Sequence, residues 1–368
     1  MNLYQTISGE LRQAITGKLL KPGDRILSIK EMKEKYGVSH ITVLRVYKEL
    51  AAEKLIECRH GQGYFVCAPA ARQRPVFGRF ACFVRAMRPP RLTDNYFNEI
   101  NMGIQMEAAS RRIDLQLSHR TALLDAYIPT AEIQNELKNA MLAAAENTDG
   151  FLLDERISDE VIADVIEKTR KPMVLLNRHT DLPVNIVRPD NESGLRMLLD
   201  MGRKMKYSQF VFCAQATLGE SYNPVSNYNA MIRDAAFREL VPDSEGEVVN
   251  DCLQVPLEVF LRRISTVYQR RRKNGRVLLI CTSDTLAEGL CPHFCPQGKT
   301  PDDLGIAGMD GLDICRLCRP ELTTMKTDTL DMGRKAVELL QSSVNGTDSY
   351  APSTFLSPMI FTPGGSMN

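Results

Sequence analysis

The sequence predicts a mixed α/β protein, with an N-terminal winged helix-turn-helix domain followed by a two-lobed body built on parallel sheets. Three short helical patterns and a glycine-tipped hairpin occupy residues 1–68. Short apolar runs then alternate with helical stretches along residues 80–368, in two successive rounds. Such alternation indicates βαβ units with helices on both faces of a sheet, and two rounds indicate two lobes.

The composition sets the broad class of protein. The 368 residues are 43% hydrophobic and 25% charged, which is typical of globular proteins and sufficient for two or three domains. No apolar run approaches the roughly 18 residues of a membrane span, and the polar N-terminus lacks the pattern of a signal peptide. The ten Cys have no regular spacing, so we expect reduced thiols and a cytoplasmic location.

The charge is unevenly distributed between the two parts. Residues 1–74 carry 13 Lys and Arg against 7 Asp and Glu, whereas the remainder carries 33 against 38. A small basic module attached to a mildly acidic body fits a binder of polyanions joined to a second function.

The first two helices are marked by apolar periodicity and capping residues. Apolar residues recur every four positions from Leu3 to Ile15, which predicts one buried stripe of a helix. Ser28 precedes the second helix with Glu31 at the capping-box position, and Gly37 ends that helix.

The third helix and the hairpin after it carry the functional signal. Ser39 caps the helix, and Val43 and Tyr47 face inward. The residues expected on the outward face are His40, Ile41, Leu44, Arg45 and Lys48. Residues 55–59 and 64–67 form a basic hairpin with glycines at its tip. A helix of this kind followed by such a wing suits the grooves of duplex DNA.

The order of these elements over residues 2–67 resembles the GntR family of bacterial repressors. The matching pieces are Pro22-Gly23-Asp24, Ser28, Val38-Ser39, Thr42-Val43 and the wing from His60 to Val66. The resemblance implies base and phosphate contacts from the starts of helices two and three and from the wing tip. The corresponding residues here are Lys30, Ser39, His40, Thr42, Leu44, His60 and Gly61, with Arg45 as a partial substitute beside Leu44.

Three of these positions depart from the family pattern. Lys30, His40 and Leu44 stand where the family often carries Arg. Lysine is a point charge and does not reproduce the paired contact of Arg with guanine, whereas Leu44 suits a thymine methyl group. The operator sequence therefore does not carry over from the family.

The domain boundaries follow from composition and rhythm. We predict a DNA-binding domain over residues 1–68, an Ala-, Arg- and Pro-rich linker over 69–79, and a body over 80–368 that binds an effector and dimerises. The predicted first lobe comprises about 80–188 and 327–346, and the second about 189–326 and 347–368. Ligands of such folds bind beyond the carboxyl ends of the strands, here between the lobes.

The body resembles the effector domain of the LacI and ribose-binding protein family over almost its whole length. The matching segments are Tyr96-Phe97, Pro172–Arg178, Asp190–Gly194, Cys281–Gly289, Asp303–Asp310, Leu322–Met325 and Met332–Arg334. The family binds a sugar with planar polar side chains and aromatic rings. Carried across by position, the effector-binding residues are Asn95, Tyr96, Phe97, Asn177, Arg178, Tyr228, Ser283 and Asp310.

Two of those positions depart from the family. Tyr228 stands where an Arg usually clamps the sugar, and Ser283 where an Asn is common. These departures argue against the usual pentose or hexose and leave two alternatives: an unusual or modified sugar, or a pocket that has drifted from sugar binding.

One cysteine-rich group leaves a metal site open. Cys291, His293 and Cys295 lie close together in sequence, and Cys315 and Cys318 follow. Paired Cys occur in structural zinc sites, but the first group falls where the LacI family has a loop after a helix, and the second falls on a short amphipathic segment before Pro320. Ordinary reduced cysteines are favoured, and no metal or cofactor is expected.

Together these observations favour a non-enzymatic, ligand-responsive transcription regulator. It is expected to bind palindromic operator DNA as a homodimer and not to associate with membranes. Two alternatives remain: fusion of the DNA-binding module to a pyridoxal-phosphate aminotransferase-like enzyme, and a DNA-binding dimer without a small-molecule effector.

Overall fold

The computed structural model divides into two compact units, Met1–Val76 and Phe77–Asn368. It describes residues 3–17, 19–21, 23–53, 55–59, 63–67, 78–85, 95–125, 130–215, 228–251, 256–346 and 351–368.

The first unit is a three-helix domain with a two-stranded wing. Its elements are α1 (Leu3–Thr16), α2 (Ile29–Tyr36), α3 (His40–Ala52), β1 (Ile56–Arg59) and β2 (Gly63–Val66). The strands pair antiparallel, with Ile56 opposite Val66. Helices α1 and α2 both pack on α3. The core joins Ile7, Met32 and Val43, one from each helix, because these side chains are the apolar face of each helix.

The first lobe of the second unit is a six-stranded parallel sheet in the order β13-β7-β6-β5-β3-β4. Its strands are β3 (Arg79–Phe83), β4 (Asp114–Leu117), β5 (Gly150–Leu153), β6 (Met173–Leu176), β7 (Asn185–Pro189) and β13 (Thr354–Ser357). Its helices are α4 (Asn95–Ser110), α5 (Ala131–Ala145), α6 (Asp159–Thr169) and α12 (Thr329–Asn345), with a short 3-10 helix at His119–Asp125. Helices α4 and α12 cover one face of the sheet, and α5 and α6 cover the other.

The second lobe repeats this plan in the order β14-β12-β11-β10-β8-β9, in which β14 alone runs antiparallel. Its strands are β8 (Tyr207–Gln215), β9 (Gly246–Asp251), β10 (Arg276–Cys281), β11 (Leu304–Asp310), β12 (Thr323–Thr327) and β14 (Met359–Thr362). Its helices are α7 (Asn191–Lys204), α8 (Tyr228–Leu240), α9 (Leu257–Arg271), α10 (Asp284–Phe294) and α11 (Ile314–Leu317), with a 3-10 turn at Pro296–Gly298. These findings confirm the predicted fold class.

The chain passes between the lobes at three points. It crosses from β7 to α7 at Asp190, from β12 to α12 at Asp328, and from β13 to β14 at Pro358. β13 pairs with β7 of the first sheet, and β14 pairs with β12 of the second. These two strands therefore belong to different sheets although they are consecutive in the chain. The three crossings make the border between the lobes a natural hinge.

The structure corrects two boundaries. The assignment of all of 347–368 to the second lobe was wrong for residues 354–357, because β13 lies at the edge of the first sheet. Arg79, which was expected in the linker, begins β3 and pairs with Asp114 of β4. The rest of the predicted linker up to residue 77 lies outside the described residues.

Two glycines set the spacing of α4 and α12 in the first lobe. A β-carbon at Gly103 of α4 would come 2.0 Å from the carbonyl oxygen of Leu330, and one at Gly333 of α12 would come 2.1 Å from that of Ile100. The backbones of α4 and α12 therefore touch, which only glycine allows.

Candidate DNA-binding face and interlobe cleft

The start of α3 is held in place by local hydrogen bonds. The Ser39 hydroxyl accepts a hydrogen bond from the Thr42 amide at 3.2 Å, and the two hydroxyl oxygens lie 2.8 Å apart. At α2, Ser28 and Glu31 form the predicted capping box. These caps satisfy amides at the helix starts, so Ser39 has a structural role whatever else it contacts.

The outward side of α2 and α3 presents the residues expected from the sequence. We call Lys30, His40, Ile41, Leu44, Arg45 and Lys48 the recognition face. All are exposed except Leu44, which is half-buried. Ile41 is 77% exposed, whereas Val43 and Tyr47 are fully buried. Such an exposed isoleucine on a basic helix has no role in the core of this unit.

The acids at the C-terminal end of α3, Glu49 and Glu53, are bonded to residues of α1. Arg12 of α1 forms ion pairs with Glu49 and Glu53, and the Tyr4 hydroxyl donates to Glu49. The Arg45 guanidinium lies 4.9 Å from the Tyr4 ring centroid, so Arg45 leans toward α1. The basic side chains therefore meet solvent without an acid of α3 in competition.

The wing contributes one further cation. Arg59 of β1 pairs with Glu57 and lies 4.5 Å from the Phe65 ring centroid. The predicted contact residues His60 and Gly61 lie outside the described residues.

In the second unit, polar residues collect where parallel strands end at the border of the lobes. Arg85 follows β3, Asp154 and Glu155 follow β5, and Asn177 and Arg178 follow β6. From the other lobe, Ser283 follows β10 and Asp310 ends β11. The carboxyl ends of parallel strands lie at one edge of a sheet, which makes this the binding cleft of such folds.

The first lobe contributes a buried hydrogen-bonded cluster to the cleft. Glu155 receives a hydrogen bond from the Asn177 side-chain amide at 2.6 Å and another from Arg85. Arg85 also donates to both carboxylate oxygens of Asp154, at 2.9 and 3.1 Å. The Tyr96 hydroxyl donates to the Asn177 side-chain oxygen at 2.9 Å. Asn177 has a φ of +69°, a backbone conformation that asparagine tolerates better than most residues.

The start of α4 adds an aromatic wall and an unused acceptor. The Arg85 guanidinium lies 3.6 Å from the Phe97 ring centroid, so one face of Phe97 is covered. Asn95 donates weakly to Glu99 at 3.3 Å, while its buried side-chain oxygen has no partner among the described residues.

The second lobe contributes an arginine that the sequence analysis did not select. Arg233 of α8 is only 2% exposed. It donates to Asp310 at 2.8 Å, to Asn191 at 2.7 Å and to the carbonyl oxygen of Thr282. The available signal was its spacing, because Arg233, Ala236 and Phe237 form the buried stripe of α8. An arginine on such a stripe indicates a buried partner.

A chain of hydrogen bonds joins the two lobes through Asn229. Its side-chain nitrogen donates to the carbonyl oxygen of Asn177 in the first lobe at 3.2 Å. Its side-chain oxygen accepts from Asn191 of α7 at 2.8 Å, and Asn191 in turn accepts from Arg233. The path from Glu155 to Asp310 is thus continuous, and Asn229 is the residue that crosses the border.

Two predicted effector residues have other structural duties. Arg178 is buried and donates to the carbonyl oxygens of Glu155, His179 and Ile157 and to Asp159. Ser283 caps α10 by accepting from the Leu286 amide at 3.2 Å. Both residues shape the cleft edge through their own lobe, and their hydrogen bonds are already formed.

Tyr228 begins α8 at the border. The Arg188 guanidinium of β7 lies 6.0 Å from its ring centroid. Burial raises the pKa of the Tyr228 hydroxyl, while the Arg188 charge lowers it. Four of the predicted effector residues thus lie around the border of the lobes, namely Tyr96, Asn177, Tyr228 and Asp310.

Burial also raises the pKa of the acids and of the phenol in the cleft. It raises the pKa of Asp310 to about 6, although the Arg233 charge opposes the rise. Burial raises the pKa of Glu155, again against a neighbouring arginine, Arg85. The pKa of Tyr96 is well above its usual value because of burial and then of the Asp310 charge.

The cysteine-rich segment is part of the second-lobe core. Cys291, Cys295, Cys315 and Cys318 are all buried in one apolar cluster, and burial raises the pKa of Cys318 to about 11. His293 is exposed and bonds to Ser265. Among the described residues, no group of three or more His, Cys, Asp or Glu side chains is placed to hold a metal ion. No helix among the residues that the structure describes is long and apolar enough to cross a membrane.

Comparison with known protein families assigns both units. Residues 3–66 match the model of bacterial regulatory proteins of the gntR family. Residues 206–367 match the model of the periplasmic binding protein-like domain.

Characterised relatives are regulators. The HTH-type transcriptional regulator GntR of Escherichia coli (strain K12) is 26% identical over 281 residues, which cover 76% of this chain and 79% of that protein. The HTH-type transcriptional repressor CytR of the same strain is 38% identical over 69 residues, or 18% of this chain and 20% of that one. The ribose operon repressor of Halalkalibacterium halodurans is 26% identical over 57% of this chain and 60% of its own.

Solved structures share the fold of the second unit. A LacI family transcriptional regulator from Enterococcus faecalis with bound ribose matches with a TM-score of 0.59 and 17% identity, over 78% of this chain and 98% of that one. The regulator CCPA from Weissella paramesenteroides with bound glucose matches with a TM-score of 0.57 over the same shares. The chain thus combines a region that matches the gntR-family model with a region that matches the periplasmic binding protein-like model, and it is a transcription regulator.

Proposed function

We propose that the interlobe cleft binds a carbohydrate-like effector and that binding lowers the affinity of the protein for operator DNA. The observation that carries the proposal is the convergence of planar polar groups from both lobes. Arg233 and Asp310 lie on one side, and Asn177 and Glu155 on the other, and the Tyr96 hydroxyl donates to Asn177. Carboxylates, amides and guanidinium groups bind the paired hydroxyls of a sugar, and an aromatic ring suits its apolar face.

The known ligands of similar proteins agree with this choice. The Enterococcus faecalis and Weissella paramesenteroides regulators hold ribose and glucose, and the fold is shared. Arg178 and Ser283 already use their hydrogen-bonding groups within their own lobe. We therefore assign direct contacts to Asn95, Tyr96, Phe97, Asn177, Tyr228 and Asp310, and add Arg233.

For the DNA, we assign contacts to the recognition face together with Thr42 and the wing tip at His60 and Gly61. Residues 1–68 form the DNA-binding domain in this proposal, and residues 80–368 bind the effector and dimerise. A homodimer is expected because a two-fold axis matches two operator half-sites. The DNA target places the protein in the cytoplasm.

The coupling follows from a change of population between open and closed lobes. An effector shifts this equilibrium only by its difference in affinity for the two states. Asn229 bonds to Asn177 across the border, so closing and opening make and break this bond. Movement of the lobes in a dimer changes the spacing of the two winged helices, and the operator then no longer fits.

We also propose that the protein has no enzymatic activity. The characterised relatives are regulators, and the Asp310, Glu155 and Tyr96 groups are bonded to neighbours in a way that suits ligand binding. An aminotransferase-like enzyme would carry bound pyridoxal phosphate, so an absorption band above about 330 nm in the purified protein would contradict the proposal.

The direct test is thermal unfolding of the full chain in the presence of a carbohydrate panel that includes ribose, glucose and sucrose. A true effector raises the free energy of unfolding by mass action, by about 2.7 kcal/mol at 100 times its Kd, and the melting temperature rises with it. The shift should vanish in Asp310→Ala and persist in Arg238→Ala, a change on the exposed side of the same helix as Arg233. A broad panel that shifts nothing would leave the protein as a DNA-binding dimer without this effector.

A further inference from the structure

We infer that Arg188 binds an acidic group of the effector, which makes the effector an acidic sugar, with a carboxylate or a phosphate, and not a neutral one. The inference rests on the proposed carbohydrate cleft and specifies the chemistry of its ligand.

Arg188 lies at the border of the lobes. It is the penultimate residue of β7, next to the crossing at Asp190, and pairs along the sheet with Leu356. The preceding residue, Val187, lies opposite Leu176, immediately before Asn177. From the second lobe, the Tyr228 ring approaches to 6.0 Å from the Arg188 guanidinium. Arg188 is thus beside two residues assigned to the effector.

Within the described residues, Arg188 has no acidic partner, in contrast to three other arginines of this region. Arg85 pairs with Asp154 and Glu155. Arg178 pairs with Asp159, and Arg233 pairs with Asp310.

The contacts of Arg188 leave much of its guanidinium unused. Its one hydrogen bond within the described part of the chain joins Nη1 to the Pro189 carbonyl oxygen at 3.4 Å. Its Nε is buried and has no partner among the described residues. The nearby acid Glu192 influences Tyr228, but it forms no ion pair with Arg188 within the described chain.

A half-buried guanidinium without a counter-charge is unfavourable, and an anion that enters the cleft would supply the missing charge and hydrogen bonds. The planar fork of arginine binds carboxylate and phosphate with two parallel hydrogen bonds. A neutral hydroxyl gives one weaker bond at the same place. The cost of the unpaired Arg188 is therefore recovered only by an acidic ligand.

The experiment is isothermal titration of the full chain with two matched sets of ligands: ribose, ribonate and ribose 5-phosphate, and glucose, gluconate and glucose 6-phosphate. Each set varies the charge on one sugar skeleton. The proteins are the wild type, Arg188→Gln, Arg188→Lys and the control Arg196→Gln, which removes an exposed arginine from α7. Circular dichroism checks that each variant is folded.

We expect at least one acidic ligand to bind wild type and Arg196→Gln more tightly than its neutral counterpart, by about tenfold or more. Arg188→Gln should lose that preference, and Arg188→Lys should retain part of it. The carboxylate and phosphate arms show which acid is bound. Tighter or equal binding of neutral sugars, or an acid preference that survives in Arg188→Gln, would overturn the inference and leave the carbohydrate cleft intact. Absence of binding by every ligand in both sets would overturn the carbohydrate proposal itself, and this inference with it.

Discussion

Removal of one partner of the ion pair between Arg233 and Asp310 should strongly destabilise the second unit. We consider Arg233→Met, Asp310→Asn and the double variant. Arg233 is 2% exposed and donates to Asp310, Asn191 and Thr282. Methionine fills part of its volume but donates no hydrogen bond.

The expected size follows from the burial of both partners. Removal of one member of a buried ion pair costs about 3–5 kcal/mol, because the other is left buried without its counter-charge. In Arg233→Met, Asp310 loses its partner at 2.8 Å and Asn191 loses a hydrogen bond at 2.7 Å. The double variant removes both charges, so its cost should be smaller than the sum of the single costs by about 1–3 kcal/mol.

The assay is urea denaturation followed by far-ultraviolet circular dichroism, since the chain has no Trp to report by fluorescence. The substitution should lower the urea concentration at which the second unit unfolds and leave that of the first unit unchanged. The control is Arg238→Met, on the same helix, whose side chain is 59% exposed and pairs with Asp234. It should cost less than about 1 kcal/mol. A cost below about 1 kcal/mol for Arg233→Met, or fully additive costs, would refute the assignment of a buried pair.

Four further outcomes follow from the structure. Burial raises the pKa of Asp310 to about 6, so the native state holds this proton more tightly than the unfolded chain does. The stability that this group contributes is therefore complete below about pH 4 and is lost as the pH rises through about 6. The stability difference between wild type and Asp310→Asn should then fall by about 3 kcal/mol from pH 4 to pH 7 in urea titrations, and a constant difference would contradict this. Asn229→Ala removes the hydrogen bond between the lobes and should weaken effector binding by about tenfold in calorimetry; unchanged affinity would show that the bond does not favour the bound state. His40→Ala should weaken binding to the selected operator by about 1–3 kcal/mol in fluorescence anisotropy and leave random duplex binding nearly unchanged, whereas Lys48→Ala should weaken both; equal losses for His40→Ala on both duplexes would remove it from base reading. Binding to random duplex should fall steeply with salt, because phosphate neutralisation releases counterions, and a flat response would exclude the recognition face as a phosphate-binding surface.

The first unit was predictable because its signals are local. Ser28 with Glu31, and Ser39 with Thr42, fix the helix starts through neighbours only three residues apart. The exposure of His40 and the burial of Val43 follow from helical periodicity. Long-range information was not needed for these positions.

The location of the cleft could be predicted from the sequence, but not every residue that lines it. Asn177 and Asp310 were carried over from the resemblance to the LacI family, and the structure places both at the carboxyl ends of parallel strands at the border of the lobes. Their contact with an effector stays a prediction. Arg233 was missed because a charged residue within a helix is normally taken as exposed. Its burial depends on Asp310, 77 residues away. Arg178 was assigned to the effector, but its side chain is bonded within the first lobe.

The C-terminal strand pair was misassigned for a local reason. Residues 355–361 read as one apolar run, but Pro358 interrupts it. Proline lacks the amide that a continuous strand would need, and the chain changes sheets there, so β13 joins the first lobe and β14 the second. Apolar pattern alone does not show which sheet a strand enters.

The central claim is that one ligand in the interlobe cleft controls DNA binding through the winged helices. Its most direct test is the affinity of the full chain for a duplex selected from random sequence, measured with and without the carbohydrate that raises its melting temperature. We expect selection of a two-fold symmetric sequence and a fall in affinity of about tenfold or more on addition of the carbohydrate. Selection of no preferred sequence, or an affinity that does not change with the carbohydrate at saturation, would contradict the claim.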